Sequence, residues 1–225
     1  EVHSGGELGL SSTTGAISFG SLSIDAGGTH VATSGTTTIT NKNGSNYMID
    51  IDGTFTHNSG LVYIDTSVAG DKLLDLIPSG GAGLNNLKVN EDGGGNIQFN
   101  GNTTIAGYLT IEEGGFMGYD YNNSELTVTG DVSVTGTLTG NASAISMGSL
   151  TIADGGTYSA TSGTTTINGG FHDNGTYTPN GGTIEMGGTG SVVNALPSKL
   201  MINNDSALYF DGTNDKITVA DHNSL

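Results

Sequence analysis

The stretch GSLSIDAGGTHVATSGTTTI at residues 20–39 returns as GSLTIADGGTYSATSGTTTI at residues 148–167, a separation of 128 positions (148 − 20). Extended to 16–39 against 144–167, 18 of 24 positions are identical, and the mismatches include Phe19/Met147, Ser23/Thr151 and His30/Tyr158. A second match pairs GTFTHNSGLVYI at 53–64 with GTYTPNGGTIEM at 175–186, an offset of 122 (175 − 53). Six residues (128 − 122) are therefore lost between the two blocks of the second copy. A third echo sets NNLKVNED at 85–92 beside SKLMINND at 198–205. The order of elements is kept, so one module of several coils occurs twice. A coil of this kind cannot bury its inner face alone, and stacking coils creates one continuous narrow core.

Around the repeats runs an apolar–x–apolar triplet bounded by Gly, Asn or Asp. Leu22-Ser-Ile24, Val62-Tyr-Ile64, Leu87-Lys-Val89, Leu109-Thr-Ile111 and Leu150-Thr-Ile152 are examples. Period-two alternation over so few residues predicts short strands with one buried face. The best helical window, DKLLDLIPS at 71–79, is short and broken by Pro78. Short strands with regular turns can form a sandwich, a barrel or a solenoid, and the internal repeat favours the solenoid. The expected fold is all-β: a parallel β-helix-like solenoid without significant helix.

Between the copies, LTVTGDVSVTGTLTG at 126–140 has a different rhythm. Leu126, Val132 and Leu138 fall six apart, as do Val128/Val134 and Gly130/Gly136. That hexad suits a narrow β-helix, or a trimeric fibre in which three chains share one core; an ordinary β-meander is the plainer alternative. The chain divides into a first module at 1–98 (repeat core 16–92), a hexad spacer at 99–143, a second module at 144–206, and a distinct segment at 207–225. Glu1 is not a natural start, so a processed or excised piece of a longer chain is expected.

Composition limits the partners. The 225 residues include 39 Gly and only 34% hydrophobic residues, against a thick two-layer core, while regularly spaced Val, Ile and Leu argue against disorder. Five lysines (Lys42, Lys72, Lys88, Lys199, Lys216) and no Arg face 22 acidic residues, a net charge of −17. Nucleic-acid binding and attraction to anionic lipid need clustered cations and are not expected. A self-repelling acidic surface suits a salty or extracellular setting. There is no cysteine, and no apolar run approaches a membrane span.

Catalytic chemistry finds few candidates. β-Helical polysaccharide lyases want a basic residue beside a neutralised carboxylate, and sugar-cleaving sites usually offer Trp; this chain lacks Arg and Trp. Asp50 and Asp52 in MIDIDGT share one strand face at about 6.6–7 Å, within the range a glycosidase pair requires, although any D-x-D strand would show it. Glu91-Asp92 and Glu112-Glu113 are adjacent pairs that point to opposite faces or sit in turns. No catalytic residue and no resident cofactor are expected. Calcium is the one ion considered, at the acidic loop DGTNDK (211–216), which reads more plainly as a strand-connecting turn. The histidines (His3, His30, His57, His172, His222) are isolated in sequence, so no transition-metal site is expected. The best candidate glycan contact is FMGYDYNNSE at 116–125. There Tyr119 and Tyr121 alternate to one face beside Asn122 and Asn123, offering stacking and hydrogen bonds to a sugar.

Three stretches carry a family resemblance. LTVTGDVSVTGTLTGNAS at 126–143 resembles the Thr/Val/Gly hexads of tailed-bacteriophage tail fibres and related appendages. GTFTHNSGLVYID and LNNLKVN are similar to β-helical repeats of large bacterial surface proteins and phage proteins. ALYFDGTNDKITVADHNSL at 207–225 looks like the opening strands of a laminin-G/concanavalin-like lectin domain. The resemblance implies a modular virion appendage or an adhesin-type surface protein; taken with the hexad and the lack of catalytic candidates, the expected function is a non-enzymatic β-solenoid shaft, extracellular or on a virion surface, self-associating as a homotrimer. Such a shaft would present a domain that binds a host-surface glycan or protein receptor. A secreted bacterial adhesin or surface filament is the alternative, and a carbohydrate-active β-helix enzyme the third reading.

Overall fold

The computed structural model describes residues 1–9, 14–76, 83–117 and 124–187, and these form an all-β parallel solenoid of about 7 turns without helix. The segments 198–205 and 207–225 lie outside the described residues, as does the loop at 211–216.

Each complete coil has three strand positions. After β1 (Glu7–Gly9), the first coil holds β2 (Ile17–Phe19), β3 (Leu22–Ile24) and β4 (Thr29–Val31). The second holds β5 (Thr36–Ile39), β6 (Tyr47–Ile51) and β7 (Thr54–Thr56). β8 (Leu61–Thr66) and β9 (Lys72–Asp75) begin the third, where Leu84 bridges to Ile105. Then come β10 (Asn86–Glu91), β11 (Ile97–Phe99) and β12 (Thr103–Ile105), followed by β13 (Leu109–Ile111) and β14 (Phe116–Met117). β15 (Leu126–Val134) runs through two strand positions with a register shift between Val128 and Asp131, before β16 (Thr137–Thr139). β17 (Ile145–Ile152) likewise spans two positions before β18 (Thr157–Ser159) and β19 (Thr164–Ile167). β20 (Phe171–Asp173), β21 (Thr176–Thr178) and β22 (Thr183–Met186) make the last described coil. Residues 72–75, inside the best helical window, are a strand, because Lys72 and Leu74 alternate inward rather than sharing a helical stripe.

The strands pair in parallel with their counterparts one coil away, as a solenoid requires. One sheet joins β1, β4 and β7; another stacks eight strands from β3 to β21; the largest has eleven. Inward residues therefore form columns. Ile39, Ile64, Val89, Ile111, Val134 and Ile152 stack in register, each no more than 1% exposed. A fully buried aliphatic side chain contributes about 1.5–3 kcal/mol, so such a column sustains the fold despite the low apolar content. The hexad residues Leu126, Val128, Val132, Val134 and Leu138 are buried inside the single chain, in strands that pair with the coils on either side. The hexad thus needs no core shared between chains.

Register also relates the two copies. Six pairing steps carry Ile17 through Thr37, Val62, Leu87, Leu109 and Val132 to Leu150. The repeat counterpart of Ile17 is Ile145, one strand position before Leu150. The six-residue difference falls at one corner. Nine residues (40–48) separate Ile39 from Ile49 in the first copy, but three (168–170) separate Ile167 from Phe171 in the second. The longer corner is held by Asn43, whose Oδ1 accepts the Ser45 and Tyr47 amides at 2.9 Å each, while Asn46 takes φ 72°.

A glycine column lines another corner. Gly28 precedes Thr29 and Gly53 precedes Thr54, which pair; Gly115, Gly136, Gly156 and Gly175 precede the register partners Phe116, Thr137, Thr157 and Thr176. A Cβ at Gly53 would lie 2.5 Å from the carbonyl oxygens of both Asp25 and Gly28. Those carbonyls come close because Gly28 accepts the Thr54 amide at 2.9 Å, the bond that seats one coil on the next. Gly is required here by the approach of backbone to backbone.

Candidate functional site

The outer faces hold the exposed chemistry, and the richest group combines β3, β6 and β9. Asp50 on β6 is in register with Ser23 on one side and Asp75 on the other. Asp25 and Asp52 follow the paired residues Ile24 and Ile51. The Asn100 amide donates to Asp75 at 2.8 Å and lies 3.3 Å from the Tyr47 hydroxyl. Burial, reinforced by the charges of Asp52, Asp75 and Asp25, pushes the Asp50 carboxyl above its ordinary value. The sequence-predicted pair Asp50/Asp52 is therefore one part of a larger carboxylate ladder. Asp75 joins it through coil stacking, a contact 25 positions away in the chain that spacing along one strand cannot reveal.

The sign of the Asp50 shift makes a prediction. A carboxyl with a raised folded-state pKa binds its proton more readily folded than unfolded, so its charge opposes folding at neutral pH. That penalty is relieved as pH falls through the folded pKa. Asp50→Asn is expected to raise the melting temperature at pH 7 by about 1–2 °C, with the gain vanishing near pH 3.5. Thermal unfolding by circular dichroism at the two pH values measures it.

A second group sits on the outer face of β8, β10 and β13. Tyr63 Oη donates to Glu112 at 2.8 Å, and Lys88 Nζ reaches the other carboxylate oxygen at 2.8 Å. The Lys88 ammonium also lies 4.8 Å from the Tyr63 ring centroid. Burial works against the Glu112 charge, yet the hydrogen bonds from Lys88 and Tyr63 outweigh it and hold the carboxyl below its ordinary value. Nearby, Asn90 donates to Asp65 at 3.1 Å. The cluster satisfies itself, with the ring covered and both carboxylate oxygens engaged. Among the described residues Tyr108, 39% exposed, is the one large hydrophobic side chain left open.

The core holds two polar features, at Glu91 and at His30, whose partners the sequence does not reveal. Lys72 and Glu91 form an ion pair at 2.7 Å, with side chains 0% and 2% exposed. Lys72 Nζ also donates to the Gly70 and Gly94 carbonyls, and Glu91 Oε1 accepts the Gly93 amide at 2.9 Å. The pair plugs the corner where loop 67–71 and the glycine-rich loop 92–96 stack across a coil boundary. The signal was present: Leu87, Val89 and Glu91 alternate inward, as do Lys72 and Leu74.

The other feature is His30, fully buried between Phe19 and Phe55 with ring centroids 6.1 and 5.7 Å away. Its Nδ1 donates to the Leu8 carbonyl at 2.9 Å, and its Nε2 has no partner. Tyr158 stands in its place in the second copy, where its hydroxyl bonds Thr165 at 3.0 Å and its ring meets Tyr177.

The predicted glycan contacts Tyr119, Tyr121, Asn122 and Asn123 lie outside the described residues. Glu1, His3 and Asp25 form the one grouping of three metal-capable side chains among the described residues, all at the exposed N-terminal corner. His3 Nδ1 lies 2.8 Å from Asp25, and that hydrogen bond, with the charges of Glu1 and Asp25, raises the imidazole pKa. Among the described residues no helix is long and apolar enough to cross a membrane. No family model matches the chain, and neither a curated protein nor a solved structure matches it.

Proposed function

We propose that the chain is a non-enzymatic shaft segment, a repeat-built β-solenoid of a phage tail fibre or virion appendage that holds a host-binding domain away from the particle. The observation that carries this reading is what duplication preserves. The second copy keeps the corner glycines and most inward apolar residues, Ile51 (Asp173) being an exception, but Asp25, Asp50 and Asp52 become Ala153, His172 and Asn174. A duplicated site would keep its chemistry, whereas a duplicated spacer need keep only its stacking surfaces. The acidic surface, with its net charge of −17, suits an extracellular or virion location. Because the hexad is used internally, a homotrimer would form on outer faces. Receptor contact belongs to the lectin-like segment at 207–225 and to the Tyr119/Tyr121 stretch.

Immunogold labelling with an antibody to residues 1–187 tests the assignment. Gold along a particle appendage supports it, while gold on bacterial cell-surface filaments moves the chain to the adhesin alternative. Mass measurement in solution tests the trimer, and a strict monomer removes it. The Asp50/Asp75 ladder favours one rival, a carbohydrate-active enzyme. Release of reducing ends from acidic or neutral polysaccharides, abolished by Asp50→Asn, would replace the shaft reading.

A further inference from the structure

His30 and Tyr158 occupy the same position in the two copies of the module, yet only the imidazole can gain a charge in mild acid. The carbonyl of Leu8 can only accept, so the His30 proton resides on Nδ1 and the orphaned Nε2 carries a lone pair. This neutral tautomer ties β1 to β4, where Leu8 and His30 are register partners, and packs against Phe55 of β7, the next partner in the same sheet. We propose that His30 is an acid-sensitive latch: neutral, it holds the three-stranded N-terminal sheet closed, and protonated, it releases that sheet.

The geometry gives the cation nowhere to go. A proton on Nε2 would create a buried donor with no acceptor, inside a cage of Phe19, Phe55 and the β1 backbone. Phenylalanine faces attract a cation weakly, less than burial costs it. Among the described residues no titratable group enters the cage. Glu7 on β1 is exposed, Asp50 and Asp52 lie on the outer side of β6, and His3 pairs with Asp25 at the exposed corner. His57 beyond β7 accepts the Ser59 amide at its own turn. Burial lowers the His30 pKa, opposed only by the Leu8 hydrogen bond, so the folded state resists the proton that the unfolded state accepts. Stability contributed by the neutral ring is complete above the unfolded value near 6.5 and is lost as pH falls below it. The second copy supplies an internal control, since the Tyr158 hydroxyl is satisfied and takes no charge over this range.

Hydrogen exchange of the whole chain at pH 7.5 and 5.0, corrected for intrinsic rates, tests the latch. Peptides covering β1, β4 and β7 should lose protection by about tenfold per pH unit below 6.5, down to the folded pKa, while β18 and β21 hold theirs. His30→Tyr, which installs the second copy's residue opposite Thr37, should remove the acid response; His30→Phe serves if that variant does not fold. Equal acid loosening of both copies, or its persistence in the His30 variants, overturns the proposal. So does a ring nuclear-magnetic-resonance titration placing the folded His30 pKa at or above 6.5.

Discussion

Lys72→Met is expected to lower the unfolding free energy by about 3–5 kcal/mol, because it leaves the Glu91 carboxylate charged and buried without its counter-ion. Glu91→Gln should cost a similar amount from the other side, stranding the Lys72 ammonium while keeping an acceptor for the Gly93 amide. The double variant Lys72→Met/Glu91→Leu removes both charges and should recover part of the loss. Full recovery is not expected. The Gly70 and Gly94 carbonyls and the Gly93 amide all bond to this pair, and each orphaned group costs about 1–3 kcal/mol. Urea unfolding of the three variants separates these terms. The position matters as much as the size: the plug joins the third coil to the fourth, in mid-stack. Coils contact mainly their neighbours, so weakening this boundary should split one transition into two.

Gly136→Ala is the second large effect. The new Cβ would fall on the carbonyl oxygens of Glu112 and Gly115, both in the coil beneath. Neither oxygen can withdraw freely, since Gly115 accepts the Thr137 amide and Glu112 accepts the Gly115 amide at 2.9 and 2.8 Å. Overpacking against a flexible side chain costs about 1–3 kcal/mol, and against fixed backbone the loss should reach or exceed the upper end. Gly44→Ala is the control. Nothing lies within 4 Å of its Cβ position. Its effect should stay within about 0.5 kcal/mol. Equal losses at Gly44 and Gly136 would show that the glycine column is not a contact between coils.

The fold was legible because its rule is local. A triplet such as Leu150-Thr-Ile152 states which side chains face inward, and a repeat of 18 identities in 24 positions states that coils stack. The same rule extended one step reaches Glu91 and Lys72, but hydrophobic periodicity ends at the last apolar residue, so it does not pair the inward charges. The site was less legible, because its contacts join coils rather than neighbours in the chain. Asp75 beside Asp50, and Glu112 gripping both Tyr63 and Lys88, depend on coil lengths that vary between boundaries. The pairing offset is 25 from Val62 to Leu87 but 18 from Val132 to Leu150, and no motif announces it. His30 was legible only as a mismatch with Tyr158; its orphaned nitrogen follows from the aromatic cage.

The register between the copies decides how many matching contacts a partner lying along the stack could make. Ile17 stacks in the column of Leu150, while its counterpart Ile145 occupies the preceding strand position. The second module is therefore shifted by one strand position along the coil, and β17, which spans both positions, joins the two columns within the eleven-stranded sheet. Matching outer pairs such as Ser18–Thr38 and Ser146–Thr166 consequently fall in different columns of the stack. A linear partner lying along one column meets the matching residues of one copy, not of both. Duplication thus does not lengthen a single row of identical contacts, and bivalent capture would require a partner that crosses from one column to the next.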